Sequence, residues 1–239
     1  MTEKKRRQDE SESQKRMRDP SGNSAHLRES QNAVSPPRRF AGLVLAAGAS
    51  RRMGRANKLL EHWRGEALVR HAVRAVVQSG AAPVCLVVGH QAKAVIRATD
   101  DLPVVIVYNP DFAEGMASSL RAGLYALPDE IDGLLVALGD MPRVSAQDLS
   151  RLQAAYNPAE GRAICVPAWQ GRRGNPVLLG QALFAELQCL EGDRGARRLI
   201  AAHEKLVVEV AAEGPGVLLD VDTPAAMAQL RRDDGESVS

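Results

Sequence analysis

A loop of small residues followed by basic ones is the first chemical signal in the sequence. It runs from Leu45 to Gly54, includes Arg52, and is followed by Asn57 and Lys58. Small residues expose backbone N–H groups to an anion and let a ligand approach the backbone closely. The segment after residue 40 contains only two other lysines against 18 arginines, so Lys58 stands out. The loop predicts a phosphate-binding site, and a solvated surface loop is the alternative.

The loop differs from the two commonest nucleotide-binding loops. A Walker A loop has four residues between its glycines and a lysine directly after the second, and the dinucleotide fingerprint has three spaced glycines. Neither pattern fits Gly48 and Gly54. These two nucleotide-binding folds are therefore disfavoured.

Two carboxylates follow apolar, strand-like runs. Asp140 lies in Gly139–Pro142 after the run Leu134–Leu138, and Asp222 lies in Asp220–Pro224 before a predicted helix. A carboxylate at the exit of a parallel strand points into the ligand crevice, and carboxylates suit Mg²⁺ that bridges phosphates. The alternative for each is to cap the following turn or helix.

The elements that must position these residues alternate between strand and helix. Strands are predicted at 42–46, 83–88, 104–108 and 133–138, and helices at 67–78, 118–127 and 145–155. This alternation predicts an α/β fold with three layers, in which a mostly parallel, twisted sheet carries helices on both faces. In the last third of the chain, strands are predicted at 163–168 and 176–179 on either side of a polar turn, and this pattern indicates a small hairpin or lid. A further strand followed by a helix is predicted over 205–230.

Charge and composition divide the chain into a body and two tails. The first 40 residues carry 10 Lys and Arg against 6 Asp and Glu and have almost no apolar periodicity, which predicts a disordered basic tail over 1–40. A single domain is predicted over 41–232 and a polar tail over 233–239. An upstream misassigned start codon or an electrostatic tether to a partner would each explain the first tail. Neither a secretory signal nor a transit peptide fits it, so a cytoplasmic location is predicted.

Composition also excludes several partners. No apolar run approaches the roughly 20 residues that span a bilayer, and aromatic residues make up only 3% of the chain. With a near-neutral body, the sequence therefore predicts neither a membrane span nor nucleic-acid binding. Cys85, Cys165 and Cys189 form no Cys-x-x-Cys pair, and the first two lie in predicted strands, where we expect them to be core residues.

Together these motifs resemble the MobA-like nucleotidyltransferase family, and most closely the molybdenum cofactor cytidylyltransferases. The resemblance covers about Arg39 to Leu230. Besides the three motifs above, the matching segments are Val88–Gln91, Asn109 with Gly115–Leu120, Gly174–Val177 and Gly192–Arg197. One departure is Asn175, where much of the family has His, and this affects the contacts expected on the pterin side. The resemblance implies a nucleotide-diphospho-sugar transferase-like, Rossmann-like form of the predicted fold.

The resemblance also implies a reaction and its residues. CMP would pass from CTP to the terminal phosphate of molybdopterin or the molybdenum cofactor, with release of pyrophosphate. Mg²⁺, or alternatively Mn²⁺, would be held by Asp140 and Asp222. Lys58 would neutralise the α-phosphate, and Arg52 would neutralise the departing pyrophosphate. The residues implied to bind the nucleotide are Leu45, Ala46, Ala47, Gly48, Ala49, Lys58, His90, Asn109 and Ser118.

Several functions stay open at this stage. The form Ala46-Ala47-Gly48 is similar to that of CTP users, but a related transferase could use GTP or another phosphorylated acceptor. An NAD(P)H-dependent reductase is a second class, because some members of the family are assigned that activity, although the three-glycine fingerprint is missing. A non-catalytic carrier that passes the pterin to an apo-molybdoenzyme of the hydroxylase type is a third. Such a carrier would not need Lys58, Asp140 and Asp222.

Overall fold

A computed structural model describes residues 38–49, 57–193 and 195–234. The predicted N-terminal tail lies almost wholly outside these ranges, as does most of the C-terminal tail. Arg52 also lies outside them, so its predicted role in neutralising pyrophosphate stays a prediction. The predicted division into one domain and two tails likewise remains a prediction.

Ten strands are found in the described residues, and eight of them form one sheet. The strands are β1 (Phe40–Ala46), β2 (His62–Trp63), β3 (Glu66–Ala67), β4 (Val84–Val88), β5 (Val105–Tyr108), β6 (Gly133–Leu138), β7 (Ile164–Trp169), β8 (Arg172–Arg173), β9 (Val177–Gly180) and β10 (Val207–Ala211). The order in the main sheet is β10-β7-β9-β6-β1-β4-β5, with β8 paired to β7, while β2 and β3 form a separate hairpin.

Most neighbouring strands of the main sheet are parallel. β1 pairs in parallel with both β4 and β6, β4 with β5, and β7 with β10. β9 runs antiparallel to its neighbours β6 and β7. The hairpin predicted in the last third is thus part of the main sheet, and only the two-residue β8 extends from it as a short antiparallel partner of β7. The sheet confirms the predicted mostly parallel architecture.

Helices cover both faces of the sheet, as predicted. The α-helices are α1 (Leu68–Gln78), α2 (Ala92–Arg97), α3 (Met116–Tyr125), α4 (Ala146–Ala155), α5 (Phe184–Gln188), α6 (Arg197–Ala202) and α7 (Pro224–Asp233). Residues of α1, α2 and α4 share one buried cluster with alternate strand residues such as Val44 and Leu86. Residues of α3, α5 and α6 share the cluster on the opposite face, with Leu43 and Cys85. The alternation of strand side chains between two covered faces explains the continuous apolar runs of the central strands.

The sheet brings the sequence motifs to one edge. β1, β4, β5 and β6 are parallel neighbours, so the segments that follow Ala46, Val88, Tyr108 and Leu138 all lie at the same end of the sheet. Ligands of open α/β sheets bind at this carboxyl end. Among the described residues, no helix is long and apolar enough to cross a membrane.

Candidate nucleotide site

Lys58 and two carboxylates meet at the carboxyl edge of the sheet. The Nζ atom of Lys58 donates hydrogen bonds to Oδ2 of Asp140 and to Oδ1 of Asp222. These side chains come from three separate segments, and those of Lys58 and Asp140 are each only 14% exposed. We call Lys58, Asp140 and Asp222 the charged cluster.

A capped turn positions Lys58. Asn57 precedes a 3₁₀ helix over Lys58–Leu60, and its side-chain oxygen accepts a hydrogen bond from the Leu59 N–H at 3.1 Å. Leu59 is buried in the core and anchors the turn. A short polar side chain before a helical turn satisfies an N–H that would otherwise lack a partner. The Asn57-Lys58 pair of the sequence is therefore a cap followed by the charged residue that the cap positions.

Close packing of backbone places Asp140 at the exit of β6. The N–H of Gly139 donates to the carbonyl oxygen of Leu45 at 3.0 Å, which continues the β1–β6 pairing past the end of β6. A Cβ atom at Gly139 would lie 3.1 Å from that oxygen and 3.3 Å from Cδ2 of Leu59. A side chain at position 139 would therefore crowd the Leu45 carbonyl oxygen and the Leu59 side chain, so glycine suits the close approach of the two strands at this point.

Asp222 is tied to Asp140 through the backbone. The N–H of Val221 donates to the carbonyl oxygen of Asp140 at 3.0 Å, and Val221 is buried against α7 and the β2–β3 hairpin. The cap of α7 is Thr223, whose hydroxyl accepts from the Ala226 N–H. Asp222 is thus not the helix cap, and Asp140 directs its side chain to Lys58. The capping alternatives raised for both carboxylates are not what the structure adopts.

Gly174 and Asn175 pack closely against the backbone of Val217, in the segment that precedes Asp222. A Cβ atom at Gly174 would lie 2.0 Å from the carbonyl oxygen of Val217, and the Asn175 N–H donates to the same oxygen at 2.9 Å. The Gly174-Asn175 motif therefore has a backbone role that does not depend on whether residue 175 is Asn or His.

Burial and opposite charge act against each other in the charged cluster. Burial on its own would lower the pKa of Lys58, but the attraction and hydrogen bonds of Asp140 and Asp222 outweigh it and raise the pKa above its usual value. Burial raises the pKa of Asp140, while the Lys58 ammonium acts in the opposite direction. The ionised Asp140 carboxylate therefore depends on a cation beside it.

A cavity of about 340 Å³ opens next to the cluster. Its described lining residues are Leu45, Ala46, Ala47, Gly48, Ala49, Lys58, Leu59, Phe112, Ala113, Gly115, Met116, Ser119, Leu138, Asp140 and Asp193. Six predicted residues, Lys58 and the five from Leu45 to Ala49, are thus gathered at one cavity with Asp140. A Cβ atom built on Gly48 would meet no heavy atom within 4 Å, so this position borders open space. Asp222 is not among these lining residues and is connected to them by its contact with Lys58.

A further part of the cavity wall contains residues to which the sequence assigned no role. Gly115 has a φ of +112°, and a Cβ atom there would lie 2.4 Å from Oδ1 of Asp193. The Ala117 N–H donates to the carbonyl oxygen of Gly192 at 3.1 Å, which ties the start of α3 to this loop. Phe112, Met116 and Asp193 line the cavity from this side. The place of Phe112 and Met116 after β5 was a usable signal, because β5 belongs to the parallel half of the sheet, whereas Asp193 follows α5 and gave no such signal.

Three predicted nucleotide-binding residues have other neighbours. Asn109 is buried, and its Nδ2 donates to Oγ of Ser118 at 2.9 Å and of Ser119 at 3.0 Å. Its Oδ1 accepts from the Asp111 N–H at 3.0 Å. His90 donates its backbone N–H to the carbonyl oxygen of Ala47 at 3.1 Å, and its ring lies 6.1 Å from that of Phe112. Asn109, Ser118 and His90 are outside the described lining and support it from behind; direct contact with a nucleotide stays a prediction.

The carboxylates fit a divalent cation that arrives with a nucleotide. Oδ1 of Asp140 is buried and has no hydrogen-bond partner among the residues that the structure describes. Within the same residues, no group of three or more His, Cys, Asp or Glu side chains could hold a metal ion. Mg²⁺ is commonly bound by one or two carboxylates together with substrate phosphates, and the two carboxylates of the cluster match that pattern.

Comparison with known proteins places this site in a family. The family model of the MobA-like NTP transferase domain matches residues 42–206. The chain is 33% identical over 194 residues to nicotine blue oxidoreductase of Paenarthrobacter nicotinovorans, covering 79% of this chain and 95% of that one. It is 24% identical over 183 residues to molybdenum cofactor cytidylyltransferase of Escherichia coli, covering 76% of this chain and 90% of that one.

A solved structure shares the fold and contains a metal. The crystal structure of Rv0371c from Mycobacterium tuberculosis in complex with manganese superposes with a TM-score of 0.66 and 29% identity, covering 81% of this chain and 97% of that one. The two chains share the fold over 81% of this chain. A divalent ion is thus bound by a relative of the same fold.

Proposed function

Because the chain belongs to the MobA-like NTP transferase domain family, we propose that it transfers CMP from CTP to the terminal phosphate of molybdopterin or the molybdenum cofactor. The observation that carries the proposal is the charged cluster beside a cavity lined by small residues. One cation and two carboxylates beside a cavity of about 340 Å³ are the groups that nucleotidyl transfer needs.

The reaction joins two anions. An oxygen of the acceptor phosphate forms a bond to the α-phosphorus of CTP. The bond from that phosphorus to the oxygen bridging the α- and β-phosphates breaks, and pyrophosphate leaves with the electron pair. Catalysis is therefore a matter of charge neutralisation and in-line placement, with no covalent enzyme intermediate.

Each residue of the site has a role in this scheme. Backbone groups of Ala46–Ala49 hold the base and the phosphates, and Lys58 meets the charge that develops on the α-phosphate. Arg52 neutralises the departing pyrophosphate. Asp140 and Asp222 hold Mg²⁺ or Mn²⁺. When bound, the metal ion polarises the phosphate oxygens and offsets their charge.

The choice of CTP and of a pterin acceptor is supported by specific features. Ala46-Ala47-Gly48 is the form similar to that of CTP users, and Ala46 and Ala47 are buried at the exit of β1 among the residues that line the cavity. The E. coli relative named molybdenum cofactor cytidylyltransferase covers most of both chains. A different phosphorylated acceptor would use the same charged cluster. Transfer of the product to an apo-molybdoenzyme of the hydroxylase type completes the proposal.

A second candidate is an NAD(P)H-dependent reductase. The relative with 33% identity is named an oxidoreductase, and this observation favours the alternative. Hydride transfer to a quinonoid substrate does not require a lysine between two carboxylates. The charged cluster therefore supports nucleotidyl transfer over reduction.

The experiment is an assay of pyrophosphate release from CTP, GTP, ATP and UTP, with and without molybdopterin, in the presence of Mg²⁺. We expect release with CTP that depends on the acceptor. In parallel, NADPH oxidation is followed with a quinonoid dye. Dye reduction without pyrophosphate release would support the reductase instead. Pyrophosphate release with GTP alone would show that the nucleotide substrate is GTP and not CTP.

A further inference from the structure

The charged cluster places a lysine ammonium where the proposed function requires a metal ion. Nζ of Lys58 contacts one oxygen of Asp140 and one of Asp222 at the same time. Asp140 and Asp222 come from segments 82 residues apart and meet through this contact and the Val221 N–H. A group that bridges two carboxylates in this way offers them the positive charge that a divalent ion would otherwise supply.

Lys58 leaves part of the Asp140 carboxylate unsatisfied. The second oxygen, Oδ1, is buried and has no hydrogen-bond partner among the described residues. A buried carboxylate oxygen without a partner is costly, and it marks a position where an ion or a water molecule would be favourable. The carboxylate is therefore only partly neutralised by the lysine, and it retains an oxygen for a further ligand.

We propose that Lys58 is an exchangeable counter-ion: it holds Asp140 and Asp222 together before substrate binds and gives up these carboxylates when a divalent cation enters with the nucleotide. This inference rests on the proposed metal site and adds a sequence of events to it. Lys58 exchanges one set of anionic partners, the carboxylates, for another, the phosphates of the nucleotide.

The exchange has a thermodynamic consequence. A free divalent ion has to compete with Lys58 for both carboxylates. The same ion brought by a triphosphate also supplies phosphate oxygens to which the Lys58 ammonium can bind. Lys58 therefore weakens the binding of the free ion and favours the metal–nucleotide complex. A lysine with a merely structural role would not produce this selectivity.

The test measures Mn²⁺ binding without nucleotide, by electron paramagnetic resonance of the free ion. Lys58→Met keeps the aliphatic stem and removes the charge. We expect it to bind Mn²⁺ about tenfold or more tightly than the wild type, because the competing cation is gone. Lys93→Met makes the same chemical change at an exposed position of α2 and should bind Mn²⁺ like the wild type.

A double variant locates the ion. Lys58→Met combined with Asp140→Asn should lose the gained affinity, since one of the two carboxylates becomes neutral. Equal or weaker Mn²⁺ binding by Lys58→Met would overturn the inference, as would gained affinity that persists in the double variant. If Lys58→Met does not fold, Lys58→Gln serves in its place, with circular dichroism as the check on folding.

A thermal readout gives a second, independent measure. In the wild type, Mn²⁺ alone should raise the Tm only slightly, whereas in Lys58→Met the same concentration should raise it more. An equal rise in both proteins would contradict the exchange. These measurements need no turnover, so failure of the inference is distinguishable from failure of the proposed function, which the pyrophosphate assay tests.

Discussion

One side of the cavity consists of charged side chains that are held in place by ion pairs, and the other consists of small residues and backbone. On one side, Lys58, Asp140 and Asp222 are fixed by ion pairs, a cap and two backbone hydrogen bonds between segments. On the other side, Ala46 to Ala49 offer small side chains and backbone, and Gly48 borders open space. The charged side has little freedom to change, while the small-residue side can change shape with a single methyl group.

This difference suggests that one set of residues determines the type of reaction and another set determines which substrate is used. Neutralising phosphate charge requires particular side chains at particular atoms. Selecting a base requires only the right space and a few polar contacts, which small substitutions alter. The charged cluster therefore supports the reaction class more strongly than the alanine loop supports CTP.

The strongest test of the charged side is Asp140→Ala. We expect turnover to fall by at least ~10²-fold, the scale on which charge-stabilising groups act, while circular dichroism shows a retained fold. Asp140→Asn is the matched control because it keeps the size of the side chain and removes its charge. We expect its turnover to be nearly as low as that of Asp140→Ala. Near-normal pyrophosphate release by either folded variant would remove Asp140 from the metal site.

Lys58→Met tests whether the positive charge of Lys58 stabilises the transition state. Turnover should fall more than affinity for CTP does, since the charge is most needed where negative charge develops on the α-phosphate. Lys58→Arg should rescue poorly, because the guanidinium is planar and longer and does not fit between the two carboxylates. A raised KM with unchanged kcat would instead assign Lys58 to ground-state binding.

The small-residue side is tested by changing Ala46-Ala47 to Gly-Gly. Both alanines are buried at the strand exit, so the change widens the cavity and removes two methyl groups. We expect the ratio of kcat/KM for CTP over GTP to shift toward GTP by about 1 to 3 kcal/mol. Ala41→Gly, in the buried first half of β1, controls for the cost of a strand glycine, and an unchanged ratio in the double variant would place base selection elsewhere.

The smallest effect on chemistry is expected at Asn109. Its side chain joins Ser118, Ser119 and the Asp111 N–H behind the cavity wall. Asn109→Ala should lower the free energy of unfolding by about 1 to 3 kcal/mol, because buried polar groups lose their partner. Denaturant unfolding measures this loss. If Asn109→Ala leaves the free energy of unfolding unchanged and raises the KM for CTP, Asn109 binds the nucleotide directly.

Much of this fold follows from local patterns in the chain. The apolar runs predicted β1, β4, β5 and β6 to within two residues at either end, because continuous burial on both faces leaves a clear signal. The short helices α2, α5 and α6, with five or six residues each, were not predicted. Helices of that length are too short to display a 3.6-residue period, so their helicity depends on tertiary packing.

The site was predictable in part for a similar reason. Asp140 and Lys58 follow strand exits, and the carboxyl edge of a parallel sheet brings such residues together. The contact of Asp222 with Lys58 depends on the Val221 hydrogen bond to Asp140, which spans 81 residues of chain and leaves no local pattern. The same holds for the packing of Gly115 against Asp193. Long-range backbone contacts of this kind become visible only once the fold is known.

The most direct test of the central claim follows the α-phosphorus itself. Wild-type protein is incubated with Mg²⁺, molybdopterin and CTP labelled at the α-phosphate, and both labelled product and pyrophosphate are quantified. We expect the label to appear on the acceptor in the same amount as pyrophosphate, and we expect Asp140→Asn to produce neither. Label that remains on CTP while the same preparation reduces a quinonoid dye with NADPH would contradict it.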